Sequence, residues 1–303
     1  MHILPPHEAF FKLPAHEAVS YDEARTVIIP FGLEASVSYG GGTSRGPQAM
    51  IDASPELELF DESLWCEPYK DIKAVTLPTP AITRSVPAAL DQLEGIVRQV
   101  LADGKFPMTF GGEHSITAGA MRPFAEKYSD LAILHFDAHA DLRDGYQGEH
   151  YSHAAALRRC VDDSRLHNEG HHISLVSCGI RNISASEIPF LEANRHRIHI
   201  YWGKDMRRWD VEEIVSHLKG RPVYLTFDVD GFDGSVMPAT GTPEPGGLFW
   251  PDAMHIITEA LKVCHLVGAD ITELAPIEGY HAADFLAAKL AYKILSYRFV
   301  GTS

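Results

Sequence analysis

Short apolar runs alternate with helical patterns along the whole chain. That alternation predicts an α/β fold with a mainly parallel sheet and helices on both of its faces. A second observation is the character of two of those runs. Leu131-Ala132-Ile133-Leu134 and Val223-Tyr224-Leu225-Thr226-Phe227 read as buried strands. A third is position. Acids and histidines cluster just past predicted strand ends, and open parallel sheets bind ligands beyond the carboxyl ends of their strands. No repeat, linker or low-complexity stretch interrupts the pattern, so residues 1–303 read as one domain.

Residues 1–25 are polar, with His7, Pro14 and His16, and read as an N-terminal arm. Residues 26–30 are the first strand. The glycine-rich stretch 39–47 follows, and a helix begins near Pro47. Its spacing is neither G-x-G-x-x-G nor a P-loop, so it reads as a wall or turn of the site rather than a phosphate cradle. Residues 71–75 are a weak strand. Residues 86–103 have helical apolar spacing, with Pro87 in the first turn and Gly104 past the end. Strand 106–110 runs into Gly111-Gly112-Glu113-His114-Ser115, which opens a helix over 115–128. Strand 131–136 carries His135-Phe136-Asp137-Ala138-His139-Ala140-Asp141. After a loop and a helix from 154 come strand 173–178, helix 184–194, strand 197–202 and helix 209–219. Strand 223–227 ends in Asp228-Val229-Asp230. The Gly- and Pro-rich loop 231–247, helix 251–263, strand 266–274 and helix 281–298 complete the chain.

Net charge is −15, which argues against nucleic acid as a partner and suits cationic ligands or metal ions. The four cysteines are widely spaced without a Cys-x-x-Cys pair, so no disulfide framework is expected. No segment reaches the roughly 18 apolar residues of a membrane span. The N-terminal residues lack a secretory pattern, so the default location is the cytoplasm.

Side chains two apart on a strand face one way. If strand 131–136 stays extended, Asp137, His139 and Asp141 converge, as do Asp228 and Asp230. Four carboxylates in one place repel strongly without cations, and two divalent ions would balance them. Carboxylate and imidazole donors without thiolate point to Mn²⁺ rather than structural Zn²⁺. A two-metal site can hold a bridging water as hydroxide for attack. The competing bland reading is one structural cation.

These segments resemble the three signature motifs of the ureohydrolases, the family of arginase, agmatinase, guanidinobutyrase and formiminoglutamase. They are Gly111-Gly112-Glu113-His114-Ser115, Phe136-Asp137-Ala138-His139-Ala140-Asp141, and Thr226-Phe227-Asp228-Val229-Asp230 with Gly241-Thr242-Pro243-Glu244-Pro245-Gly246-Gly247. The resemblance implies a three-layer α/β/α sandwich with an eight-stranded sheet. It implies two Mn²⁺ per subunit, held by His114, Asp137, His139, Asp141, Asp228 and Asp230, and hydrolysis of a guanidinium to an amine and urea. It further implies that Glu273 binds the guanidinium and that His153 passes a proton to the leaving amine, with His150 as its rival. Trimers or hexamers are implied too. One departure is Asp233-Gly234 where the family usually has Asp-Pro, which removes a stiffening ring from that turn.

The same resemblance bears on the substrate. Arginases carry an acid at the position of Ser184 and an Asn two residues after the last Asp of the central motif. Here that stretch is Asp141-Leu142-Arg143-Asp144, as in agmatinases. Agmatine, which would yield putrescine and urea, lacks the α-carboxylate and needs neither contact. Asp144 or Glu149 could favour its distal ammonium, whereas Arg143 would suit a carboxylate tail such as guanidinobutyrate. A phosphoesterase would also use two metals, but no Lys/Arg cluster is present to clamp phosphate. An inert metal-binding homologue would be expected to have lost a ligand, Glu273 or His153, and all are retained.

Overall fold

The structure, a computed structural model, describes residues 1–162 and 172–301; His171 of the His171-His172 pair lies outside them. The strands are β1 (Thr26–Phe31), β2 (Ala74–Thr76), β3 (Phe106–Gly111), β4 (Ala132–Phe136), β5 (Ser174–Ile180), β6 (Ile198–Trp202), β7 (Pro222–Asp228) and β8 (His265–Thr272). They form one eight-stranded sheet in the order β2-β1-β3-β8-β7-β4-β5-β6. Every pairing is parallel.

The helices are α1 (Gly46–Ala53), α2 (Tyr69–Ile72), α3 (Val86–Ala102), α4 (Ile116–Lys127), α5 (Ala156–Asp162), α6 (Ile188–Ala193), α7 (Val211–Ser216), α8 (Trp250–Val263) and α9 (His281–Val300). Alternation along each strand builds two cores. Val27, Ile29 and Ile133 pack with Leu90, Leu93, Met121 and Phe124 of α3 and α4. Ile28, Met108 and Leu134 pack with Met50, Ile257, Leu290 and Ile294 of α1, α8 and α9. The result is the three-layer α/β/α sandwich expected from the alternation.

Differences from the sequence expectation are local. Asp71 and Ile72 belong to the one-turn helix α2, and the adjoining strand starts only at Ala74. Lys73 adopts a left-handed conformation (φ 45°) that ends the turn and sets the chain into the sheet. Helices α6 and α7 are shorter than the periodicity suggested. Residues 1–25 contain no strand, yet they are not all polar surface. Phe10 and Phe11 are only 3% and 5% exposed. The Phe10 ring meets Phe110 edge-on at 5.0 Å, and Phe11 meets Tyr292 at 5.3 Å. The backbone N–H groups of Phe10 and Phe11 donate to Thr76 Oγ1 and Ser54 Oγ.

The N-terminal segment therefore contributes to the core. Phe10→Ala is expected to cost about 3 kcal/mol of stability, the usual range for emptying a buried phenylalanine site. Urea unfolding checks this, and a loss below about 1 kcal/mol would mean that the segment is not anchored as described.

Candidate metal centre

Sheet order and register assemble the site. Strands β3, β8, β7 and β4 are consecutive neighbours at the centre of the sheet. Phe136 is registered with Phe227, so Asp137 and Asp228 leave their strands side by side. Asp228 is in turn registered with Thr272, which brings Glu273 alongside. His114 arrives from the loop after β3. Gly112 makes that loop possible, because a Cβ there would lie 2.0 Å from the Leu33 carbonyl oxygen.

The ligand segments are turns, not the extended strands that the spacing suggested. β4 stops at Phe136, where Asp137 Oδ1 accepts the His139 N–H at 2.5 Å. Asp230 Oδ1 accepts the Ala138 N–H at 2.9 Å. Asp228 Oδ1 accepts the Asp230 N–H at 2.8 Å and starts a 3-10 turn over Val229–Gly231. Short carboxylates that bond to nearby backbone compete with the sheet ladder and end the strand. Asp141 (φ 52°) and Glu273 (φ 63°) sit in the left-handed region, a strain that clusters at functional sites.

Two donor clusters result. His114 Nδ1 lies 3.1 Å from Asp137 Oδ2, 3.1 Å from Asp141 Oδ2 and 3.4 Å from Asp228 Oδ2. His139 Nδ1 lies 3.0 Å from Asp230 Oδ2 and 3.5 Å from Asp137 Oδ1. Asp137 is common to both, so its two oxygens face different clusters. The donor set fits divalent ions. His114 Nδ1 is fully buried and makes no hydrogen bond, although three carboxylates surround it. Its other nitrogen, Nε2, is 2.9 Å from Thr226 Oγ1. With the proton on Nε2, Nδ1 presents a lone pair into the carboxylate cluster, as a ligating imidazole requires.

The electrostatics agree. Burial and the neighbouring Asp137 charge push Asp141 up to about 7. Burial, then Asp230 and Asp137, raises Asp228 well above the carboxylate range. Burial opposes charge on His139 too, but Asp230 and Asp137 outweigh it and raise this group to about 12. Asp137 goes the other way. Burial disfavours its charge, but bonds with His114, His135 and His139 hold it well below its ordinary value. Asp141 and Asp228 thus favour their protonated forms when no cation balances the cluster.

A cleft opens onto this centre. His139, Asp141, Asp228, Asp230, Glu273 and His153 line it, with Tyr39 and Gly40 of the glycine-rich stretch as one wall. Glu273 Oε1 accepts the His114 N–H at 2.7 Å. Arg143 and Ser184 also line the cleft. The Arg143 guanidinium lies 4.8 Å from the Tyr146 ring centre. Asp144 is not among the lining residues; its exposed carboxylate meets Arg159 at 2.6 Å. Glu149 is half-buried and its Oε1 accepts the Tyr151 N–H; it too is not among the lining residues. His150 is turned to Arg159, with its Nδ1 3.0 Å from Nη1, and does not line the cleft. In place of the expected proline, Gly234 sits in a turn pinned by Asp233. Its carboxylate takes the Ser235, Gly246 and Gly247 N–H groups and the Ser235 hydroxyl.

Sequence reasoning passed over His135. Its Nε2 is 2.9 Å from Asp137 Oδ2 and its Nδ1 is 2.9 Å from Ser177 Oγ. The spacing His135-Phe136-Asp137 was the available signal, since residues two apart share a strand face. Glu187 was also missed. It lines the cleft while its oxygens accept the Leu142 and Ser184 N–H groups.

An α/β/α sheet with buried Asp and His clusters at its central strand ends is the framework of a metal-dependent hydrolase. The chain belongs to the arginase family, whose model matches residues 24–296. It is 33% identical over 94% of its length to an N(1)-aminopropylagmatine ureohydrolase of Synechocystis, covering 92% of that protein. It is 34% identical over 85% of its length to an agmatinase of Bacillus anthracis, covering 86% of it. Among solved structures, the agmatine ureohydrolase of Thermoplasma volcanium superposes with a TM-score of 0.83 at 30% identity. That match covers 96% of this chain and 94% of the other.

Proton and metal compete for the same groups. An unfolded Asp releases its proton near 3.8 and an unfolded His near 6.5, against about 7 for Asp141 and about 12 for His139 here. Between those values the folded, metal-free protein keeps protons that the unfolded chain has lost, so these groups stabilise it less as pH rises. Cations must displace those protons, so cation binding strengthens with pH. The rise in Tm on adding Mn²⁺ to chelator-treated protein is therefore expected to be larger at pH 8 than at pH 6. Equal shifts at both would remove the proton-linked site.

Proposed function

We propose that this arginase-family hydrolase cleaves agmatine to putrescine and urea with two Mn²⁺ held by His114, Asp137, His139, Asp141, Asp228 and Asp230. The observation that carries the reading is the pair of donor clusters sharing Asp137 at the floor of a cleft that Glu273 and His153 also line. When bound, the two cations supply charge balance and an activated water.

Glu273 receives the planar guanidinium by a charge-assisted pair. It is buried and lines the cleft with Asp228 and Asp230, so a guanidinium paired with it would lie against the donor clusters. His153 gives a proton to the amine nitrogen as its bond to the guanidinium carbon breaks. Burial lowers the His153 pKa below its ordinary value, so the ring is a ready base for taking a proton from the attacking water. Ser184 and Leu142-Arg143 supply neither of the two arginase contacts, which supports a substrate without an α-amino acid head. Names of relatives support the same class, agmatine or its aminopropyl derivative. Arg143 in the cleft lining favours a second reading, guanidinobutyrate.

A urea-release screen with Mn²⁺ over agmatine, aminopropylagmatine, arginine, guanidinobutyrate and formiminoglutamate tests this. For agmatine, kcat/KM is expected to exceed that for arginine by at least about 100-fold, roughly 2.7 kcal/mol. Burying arginine's unpaired carboxylate and ammonium is the cost. Comparable rates overturn the assignment, and a guanidinobutyrate preference lost in Arg143→Ala establishes the second reading.

Three variants probe the machinery. Asp228→Asn is expected to abolish most activity along with bound metal, measured together by urea release and metal analysis. His153→Ala should lower kcat on the order of 10²-fold with metal content unchanged, while His150→Ala changes it little. The reverse order would identify His150 as the proton carrier.

A further inference from the structure

Glu113 is completely buried, and donors surround both of its oxygens. Oε2 accepts the backbone N–H groups of Ala35 and Ser36, each at 2.6 Å. Oε1 accepts the hydroxyls of Ser36 at 2.8 Å and Ser115 at 2.7 Å. A carboxylate only accepts, so the single Ser36 hydroxyl proton points at Glu113.

Toward His153, Ser36 Oγ therefore has lone pairs alone. One takes the His153 backbone N–H at 2.9 Å. The other faces His153 Nδ1 at 3.2 Å. A hydroxyl already donating elsewhere can meet a ring nitrogen only as acceptor, so Nδ1 must carry the proton. The nitrogen left with a lone pair is Nε2, on a ring that lines the cleft with Asp228, Asp230 and Glu273. Ser36 then has its one proton and both lone pairs in use.

We propose that Glu113 and Ser36 are positioning residues that fix the tautomer and rotamer of His153, leaving Nε2 with the lone pair that takes up a proton and hands it on. The proposal rests on the reading of His153 as the group that serves the leaving amine. The competing role is a plain staple between the loop after β1 and the start of α4. That staple needs only the two backbone bonds to Oε2, which Ser36→Ala keeps. The hydroxyl is the part that a staple does not explain.

The test uses Mn²⁺-loaded enzyme with agmatine, comparing wild type, Ser36→Ala, Ser36→Thr, His153→Ala and the Ser36→Ala/His153→Ala pair. Ser36→Ala is expected to lower kcat about tenfold, with KM within about twofold and metal content unchanged; Ser36→Thr restores kcat. In the His153→Ala background Ser36→Ala should do nothing more. An unchanged kcat in Ser36→Ala, or an equal further loss in the double variant, overturns the proposal.

A second readout is independent of turnover. Long-range ¹H–¹⁵N spectra of the Mg²⁺-loaded protein, with His153 assigned by its disappearance in His153→Ala, should show an Nδ1–H tautomer that becomes mixed in Ser36→Ala. An Nε2–H tautomer in wild type overturns the network. If His153→Ala leaves kcat intact, the catalytic reading of His153 fails instead, and the tautomer measurement still judges the network.

Discussion

Four aspartates forced into one buried place are the constraint around which this protein is built. Asp137, Asp141, Asp228 and Asp230 are each at most 7% exposed, and their charges face one another across a few ångströms. Taking a carboxylate out of water is expensive unless it is paired. The fold answers with His114, His135 and His139, each within 3.5 Å of an Asp137 oxygen. Backbone N–H groups from the turns add to this. What these partners leave uncompensated is what a divalent cation would supply. The site is therefore a binding site because it is electrostatically incomplete by itself.

The same carboxylates shape the chain that carries them. Asp137 and Asp228 end their strands by capturing N–H groups two residues on. The turned segments then need holding, and Arg181 does so. Its guanidinium donates to the carbonyls of Gly179, Asp230, Phe232 and Glu244, and its Nε to Pro245. Five donors in a fixed fork suit a place where several loop carbonyls converge. One side chain from the end of β5 thus ties the loop after β7 to the floor of the site. Asp233 secures the far side of that loop, and the turn does without the usual proline.

Support extends below the floor as well. His114 Nε2 contacts Thr226, which lies 3.3 Å from Thr117 Oγ1, and Thr117 donates to Asp270 at 2.9 Å. Tyr224 donates to the same Asp270 oxygen at 2.7 Å. Burial raises the Asp270 pKa, as expected for a carboxyl deep in the sheet. Hydrogen bonds in series inside a low-dielectric core polarise and strengthen one another. This series sets the His114 ring from behind, while the Glu113 and Ser36 bonds approach His153 from the loop side.

Sequence by itself determined the layered α/β architecture, because apolar periodicity depends on local geometry that each segment carries alone. It also pointed to the six candidate metal-site residues His114, Asp137, His139, Asp141, Asp228 and Asp230, since strand-end motifs are readable one motif at a time. Strand order was beyond it. Nothing in β3, β4, β7 or β8 taken singly states that they are neighbours, and only that adjacency makes four separate motifs one site. The left-handed conformations of Asp141 and Glu273 were hidden for the same reason: Asp141 Oδ2 lies 3.1 Å from His114 Nδ1 and Glu273 accepts the His114 N–H, both contacts between segments distant in the chain. Side chains such as Arg143 and Asp144 are adjacent in sequence yet part company in space. One lines the cleft and the other pairs outside it with Arg159. Local preference decides which elements form. Contacts between residues far apart in the chain, such as Ser36 with His153 or Asp137 with Asp230, decide where their chemistry meets.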